Sequence, residues 1–282
     1  LRPLAAAFAF WLAVAALPAG AAPSWRVVAV VDGDTLVLED GRQVRLAGIE
    51  APRPPAGAGP GDGRSWPLAE AAATALADLA LGRQVSVRGE AITDRHGRLL
   101  AHLQRDDGLW LQGALLTAGL ARVHTRPDSR GLAAGMLAAE EAARQAGRGL
   151  WRSRAYEVRW ASEPEELARH RDSFQIVEGR VLHVQKSGGE AYLDFGEDWR
   201  TDVTVHLGRA AMRAAAEAGI DPLSFEGRRV RVRGWIGLRN GPVVEVTHPE
   251  QIERLEPPAP PPRTVRRAGP PPGRRDADAE GD

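Results

Sequence analysis

Residues 25–50 read Trp-Arg-Val-Val-Ala-Val-Val-Asp-Gly-Asp-Thr-Leu-Val-Leu-Glu-Asp-Gly-Arg-Gln-Val-Arg-Leu-Ala-Gly-Ile-Glu. Three apolar, β-branched runs stand out: Trp25 to Val31, Leu36 to Leu38, and Gln43 to Ile49. Asp32-Gly33-Asp34-Thr35 and Glu39-Asp40-Gly41-Arg42 separate them with turn residues, so the stretch predicts a β-meander. A helix follows over Pro67 to Leu81, with Pro at an early helical position and Leu68, Ala72, Leu76 and Leu79 at helical spacing. Gln84 to Arg88 and Leu99 to Leu103 read as two more strands, joined by the polar loop Thr93-Asp94-Arg95-His96-Gly97. Helices are expected over Leu111 to Ala118 and Gly131 to Ala146, the latter stopped by Gly147 and Gly149. Five strands with three helices predict an α+β fold over 22–155, mainly β, built on a small five-stranded barrel of the OB type.

Beyond this unit a charged segment, 156–172, contains Ser162-x-x-Glu165, a capping-box pattern expected to open a short helix. Over 173–256 alternation returns. Phe174 to Val184, Ala191 to Phe195, Asp202 to Leu207, Arg229 to Ile236 and Val243 to Val246 read as strands, with a helix over Ala210 to Ala218. Asn240-Gly241 is a hairpin signal, and the order predicts a second, smaller OB-like β-barrel. Arg228, Arg229, Arg231 and Arg233, with Trp235, Tyr192 and Phe195, suggest an oligonucleotide groove. Alternation with Val230 and Val232 equally describes an ordinary half-exposed strand. The region carries 11 basic and 13 acidic residues, so bulk charge does not choose between the two.

The ends have a different character. Leu4 to Leu17 is apolar and too short to span a bilayer, and Ala19-Gly20-Ala21 offers small residues for a signal peptidase. Residues 1–21 are therefore expected to be a signal peptide. The protein would be exported, periplasmic or secreted, with a membrane anchor as the alternative if the segment is not cut. Pro257 to Asp282 is rich in Pro, Arg and Asp, has little to bury, and is expected to be a disordered tail.

The 282 residues include 37 basic and 37 acidic side chains and no cysteine. Disulfides, thiolate metal sites and a cysteine nucleophile are excluded, and a neutral chain does not coat nucleic acid by bulk charge. Lys186 is the only lysine, so guanidinium recognition has to be argued site by site.

Three motifs carry chemistry. Asp32-Gly33-Asp34-Thr35 puts carboxylates at a strand bend. Arg45-Leu46-Ala47-Gly48-Ile49-Glu50-Ala51-Pro52 ends a strand on an acid, and Asp94-Arg95-His96-Gly97-Arg98 starts another with a guanidinium. Taken singly, Asp34 and Thr35 suit a turn, Asp94 with Arg98 a local ion pair, and His96 a surface loop. In this order and spacing, with Gln112 to Val123 and Arg148-Gly149-Leu150-Trp151, they resemble the thermonuclease, or staphylococcal-nuclease-like, family over about residues 25–153.

That resemblance implies a Ca²⁺-assisted nuclease hydrolysing phosphodiester bonds of DNA or RNA, with single-stranded nucleic acid as partner. It implies Arg45 and Arg98 as catalytic groups on the phosphoryl transition state. Asp34, Glu50 and the backbone at Ala51 are implied as metal ligands, which suits a hard cation. Arg53 and Asp94 are further candidates for substrate contact. The chain departs from the family at two places. Arg53 stands where members carry a Glu that assists the attacking water, and Glu50 replaces an Asp. Asp62 or Glu70 could fold back to supply a base. The alternative is a catalytically impaired nuclease fold that binds nucleic acid or protein in the cell envelope.

Overall fold

The computed structural model describes residues 23–54 and 67–255. The expected export segment, the tail and Asp62 lie outside them. The first unit begins with β1 (Ser24–Asp32), β2 (Thr35–Leu38), β3 (Gln43–Leu46) and β4 (Ile49–Glu50). Next come α1 (Pro67–Ala80), β5 (Gln84–Thr93), β6 (Leu99–Arg105), α2 (Leu111–Thr117), β7 (Arg122–Val123) and α3 (Ala133–Gln145). Strands β1, β2, β3, β6 and β5 close a five-stranded barrel in that order, with β3 and β6 parallel. The expected barrel with three helices is what the chain forms.

Local chemistry sets the details. Alternation buries Val27, Leu36, Leu38, Val44 and Leu46, and α1 covers them with Ala72, Leu76 and Ala80. The stretch expected as one strand from Gln43 to Ile49 is two. Gly48 adopts φ +75°, a left-handed conformation that ends β3 and lets β4 pair with β7 instead. β5 runs five residues past its expected end because a register shift between Val87 and Ala91 bends it around the barrel. Strand β7 is too short to show in the pattern.

The second part comprises β8 (Arg159–Trp160), α4 (Pro164–Ala168), β9 (Phe174–Arg180), β10 (His183–Ser187), β11 (Glu190–Asp194) and β12 (Thr204–Leu207). It continues with α5 (Arg209–Glu217), β13 (Arg229–Leu238), β14 (Pro242–Val246) and β15 (Ile252–Arg254). The sheet runs β10-β11-β12-β14-β13-β9-β8, with β15 on β13. Phe174 to Val184 is not a single strand. It breaks at Val181 and Leu182, whose N–H groups donate to Arg228 and Asp194 respectively. The first half therefore pairs with β13 and the second with β11. With β12 parallel to β14, the pairing order repeats that of the first barrel. Asn240 and Gly241 both take positive φ at the β13–β14 turn, as expected for a two-residue hairpin.

Two expectations fail here. The capping box does not form: α4 is preceded by Glu163, with Pro164 in its first turn and no side-chain cap. The arginine strand is also not half-exposed at its centre. Arg231 and Arg233 are buried against the first unit, and Phe195 lies in the core. Arg231 donates to Glu141 of α3 and to Glu178, at 2.9 and 3.0 Å. Arg233, 1% exposed, sits 2.8 Å from Glu140 of α3 and 2.5 Å from Glu253, and donates to the Val123 carbonyl. The second part thus reaches β7, the strand beside the candidate site.

Candidate functional site

The bend at residues 32–35 is tight. The Asp34 N–H donates to the Asp32 carboxylate at 3.0 Å, closing an Asx turn that aims the Asp34 side chain inward. Gly33 permits it: a Cβ there would lie 2.6 Å from Cβ of Ala72 on α1 and 2.7 Å from Cβ of Ala51. Asp34 is fully buried. Its Oδ1 accepts from the Thr35 hydroxyl at 3.1 Å, and its Oδ2 from the Ala51 N–H at 3.1 Å and Arg53 Nη2 at 2.7 Å. Arg45 Nη2 stands 3.7 Å from the same Oδ2, because the β2–β3 register sets Arg45 opposite Thr35. Burial raises the Asp34 carboxyl above the usual carboxylate range and Asp32 adds to this, against the opposing pull of Arg45 and Arg53.

Arg45 shares a small cavity with Gly48, Ile49, Leu100, His124, Arg126 and Ser129. Glu50 follows Ile49 of that lining in the chain. Through the β4–β7 pairing Glu50 meets Arg122, and its Oε2 is 4.0 Å from Arg122 Nη2 and 3.5 Å from His124 Nδ1. That oxygen is buried without a hydrogen-bond partner. Burial holds the His124 imidazole below the ordinary histidine range despite Glu50. The sequence reading missed His124, Arg122 and Arg126. Their only signal was the alternating basic run Arg122-Val123-His124-Thr125-Arg126 after the second helix.

Asp94 and Arg98 form their own motif. Asp94 Oδ1 accepts from the N–H groups of His96 and Arg98 at 2.8 and 3.0 Å, and Oδ2 accepts from Arg98 Nε at 2.9 Å. These bonds hold the Asp94 carboxyl below its usual range, against desolvation. Arg98 precedes Leu100, the register partner of Arg45, by two residues, which puts it on the same sheet face. Among the described residues no hydrogen bond or ion pair joins it to Asp34 or Arg45. The structure therefore brings together Asp34, Arg45, Ala51 and Arg53, sets Glu50 beside them, and leaves Asp94 and Arg98 as a separate pair. Glu70 is exposed in the first turn of α1, and among the described residues no hydrogen bond or ion pair joins it to the group.

A calcium ion takes about six to eight oxygen ligands. Among the described residues, no group of three or more His, Asp or Glu side chains gathers as such a set. Asp34 Oδ2 is already bonded to Arg53, Ala51 meets it through an N–H, and Glu50 turns to Arg122 and His124. As arranged, these donors do not fit a calcium ion.

Comparison with known proteins agrees with this part of the chain. The profile of the family described as "Staphylococcal nuclease homologue" matches residues 43–153. Two relatives named "Uncharacterized endonuclease", from Escherichia coli O157:H7 and Escherichia coli, are each 30% identical over 129 residues. The matched stretch spans 45% of this chain and 75% of each relative.

Proposed function

The chain belongs to the staphylococcal nuclease homologue family, and from that premise we propose that it hydrolyses phosphodiester bonds of single-stranded nucleic acid at the Asp34–Arg45 corner. The observation that carries the reading is Arg45. It is a half-buried guanidinium anchored by a buried carboxylate, lining one cavity with His124 and Arg126. A guanidinium held by a carboxylate and flanked by further basic side chains attracts a phosphodiester.

In hydrolysis a water oxygen bonds to phosphorus, one ester P–O bond breaks, and the leaving oxygen takes up a proton. Negative charge grows on the equatorial phosphate oxygens as this happens. A preorganised guanidinium donates to that charge without reorganising at the moment of reaction. Asp34 keeps Arg45 in place, and Asp94 holds Arg98 just before β6 through the Arg98 N–H, Nε and Nη2. Asp34 is already paired with Arg53.

The test is cleavage of labelled single-stranded DNA and RNA by the purified full chain. Arg45→Ala and Arg98→Ala are expected to lower turnover by about 10²–10³-fold each, as loss of one transition-state donor does. Equal cleavage by wild type and both variants would refute the proposal. Binding without cleavage would favour the second reading, a nucleic-acid-binding fold with its catalysis impaired, which the Arg53–Asp34 pair supports.

A further inference from the structure

Asp34 is the one carboxylate of the corner that is wholly buried, and three positive or N–H groups converge on its Oδ2: Arg53, Arg45 and the Ala51 amide. An oxygen that accepts from Arg53 at 2.7 Å and from Ala51 at 3.1 Å has its lone-pair directions taken. The other carboxylates are less fully bonded, and Glu50 Oε2 is buried without a hydrogen-bond partner. Asp32 accepts from the Asp34 N–H, and Glu50 faces Arg122 and His124. A divalent cation entering here would have to displace one guanidinium and sit within a few ångströms of another. Both terms oppose it, because like charges repel most strongly where water is excluded.

We propose that Arg53 occupies the cation's seat at this site: its guanidinium closes the Asp34 corner, and the protein meets a phosphodiester with guanidinium groups alone, without bound Ca²⁺. This deepens the nuclease reading and rests on it for the identity of the phosphodiester, while the occupancy of the seat stands on the ion pair itself. The chemistry is consistent. Arg53 is partly exposed, its side chain 39% accessible, so it can keep one edge on Asp34 and present the other to solvent and substrate. A planar fork can bridge a carboxylate and a phosphate in this way, whereas a lysine ammonium is a point charge. The same substitution explains why the position carries no base: a guanidinium has no lone pair with which to take a proton from water.

The decisive experiment measures Ca²⁺ binding rather than cleavage. Wild type, Arg53→Gln, Arg53→Glu and Arg53→Lys are compared as full chains by titration calorimetry, and by thermal unfolding with Ca²⁺ or with chelator. Wild type and Arg53→Lys are expected to show no saturable binding up to about 1 mM Ca²⁺, the weak end of protein calcium sites, and the same Tm in both buffers. Arg53→Gln and Arg53→Glu are expected to bind one ion and to unfold at higher temperature with Ca²⁺ than with chelator. One ion bound by wild type as tightly as by Arg53→Gln would overturn the proposal. Absence of binding in every variant would overturn it too, since Arg53 would then not be what fills the seat. Cleavage is read in parallel: this binding pattern with no cleavage in any protein supports the filled seat and refutes only the nuclease reading.

Discussion

Asp34 combines the burial of a core residue with the charge of a site residue. Burial and the neighbouring Asp32 raise its carboxyl above the normal range, and Arg45 and Arg53 offset this only in part. A carboxyl with a raised folded-state pKa contributes stability that is complete below the unfolded value. That contribution is lost as the pH climbs through the folded one. Where it is ionised, Asp34 therefore weakens the fold it helps to organise. Asp34→Asn keeps an acceptor for Ala51 and Arg53 and gains a donor toward Thr35. It is expected to raise the Tm near pH 7 by about 2–4 °C, the shift that about 1 kcal/mol produces in a chain of this size. Near about pH 3, where the unfolded carboxyl is also protonated, the two proteins should unfold together. A scan of Tm against pH checks the sign; a lower Tm for the variant at pH 7 would contradict this account.

Among the elements, the approach of α1 to the β1–β2 bend decides where the site sits. Ala72 is fully buried and faces Gly33 closely enough that no side chain fits between them. The same glycine lies against Ala51, whose amide holds Asp34 Oδ2. Gly33→Ala drives its methyl into both neighbours and should cost about 1–3 kcal/mol, as overpacking does. It should also reduce cleavage, because Ala51 is displaced from Asp34 when the bend moves. Denaturant titration reads the first effect and turnover of the labelled oligonucleotide the second. Unchanged values of both would show that α1 yields freely here.

Taken as a whole, the molecule joins its two parts through buried charge. Glu140 of α3 accepts the Val123 N–H at 2.6 Å and pairs with Arg233 at 2.8 Å. Thr125 meets His248 Nε2 at 2.7 Å, and Arg122 donates to the Phe174 carbonyl at 3.1 Å. The contacts made by Val123, Thr125 and Arg122 converge on the segment 122–125, next to Glu50. Burial holds the His248 imidazole down to about 4, so it stays neutral there. Removing one partner of a buried pair strands the other, so Arg233→Met should destabilise the protein by about 3–5 kcal/mol. Arg233→Met with Glu140→Gln should recover much of that loss, since the glutamine still accepts from Val123 and carries no charge. Denaturation midpoints of the single and double variants decide it; equal midpoints would mean that Glu140 is not left unpaired.

How far the sequence was legible follows from the range of the interactions involved. Alternation, turn residues and helical spacing are local, and they sufficed for the barrel and its three helices. The hairpin at Asn240-Gly241 was legible for the same reason: two positive φ values demand those residues. What the pattern could not carry is which distant charge covers a given face. Arg231 and Arg233 alternate like surface residues, yet their partners Glu141 and Val123 lie 90 and 110 positions away. Arg53 was legible as a departure from the family. Its bond to Asp34, 19 residues distant, exists only because β2, β3 and the chain after β4 converge on one bend. The sequence by itself determined the barrel and the supply of charged groups. Tertiary structure alone decided which carboxylate each guanidinium neutralises, because ion pairing depends on distance in space and on burial, and neither is encoded by neighbours in the chain.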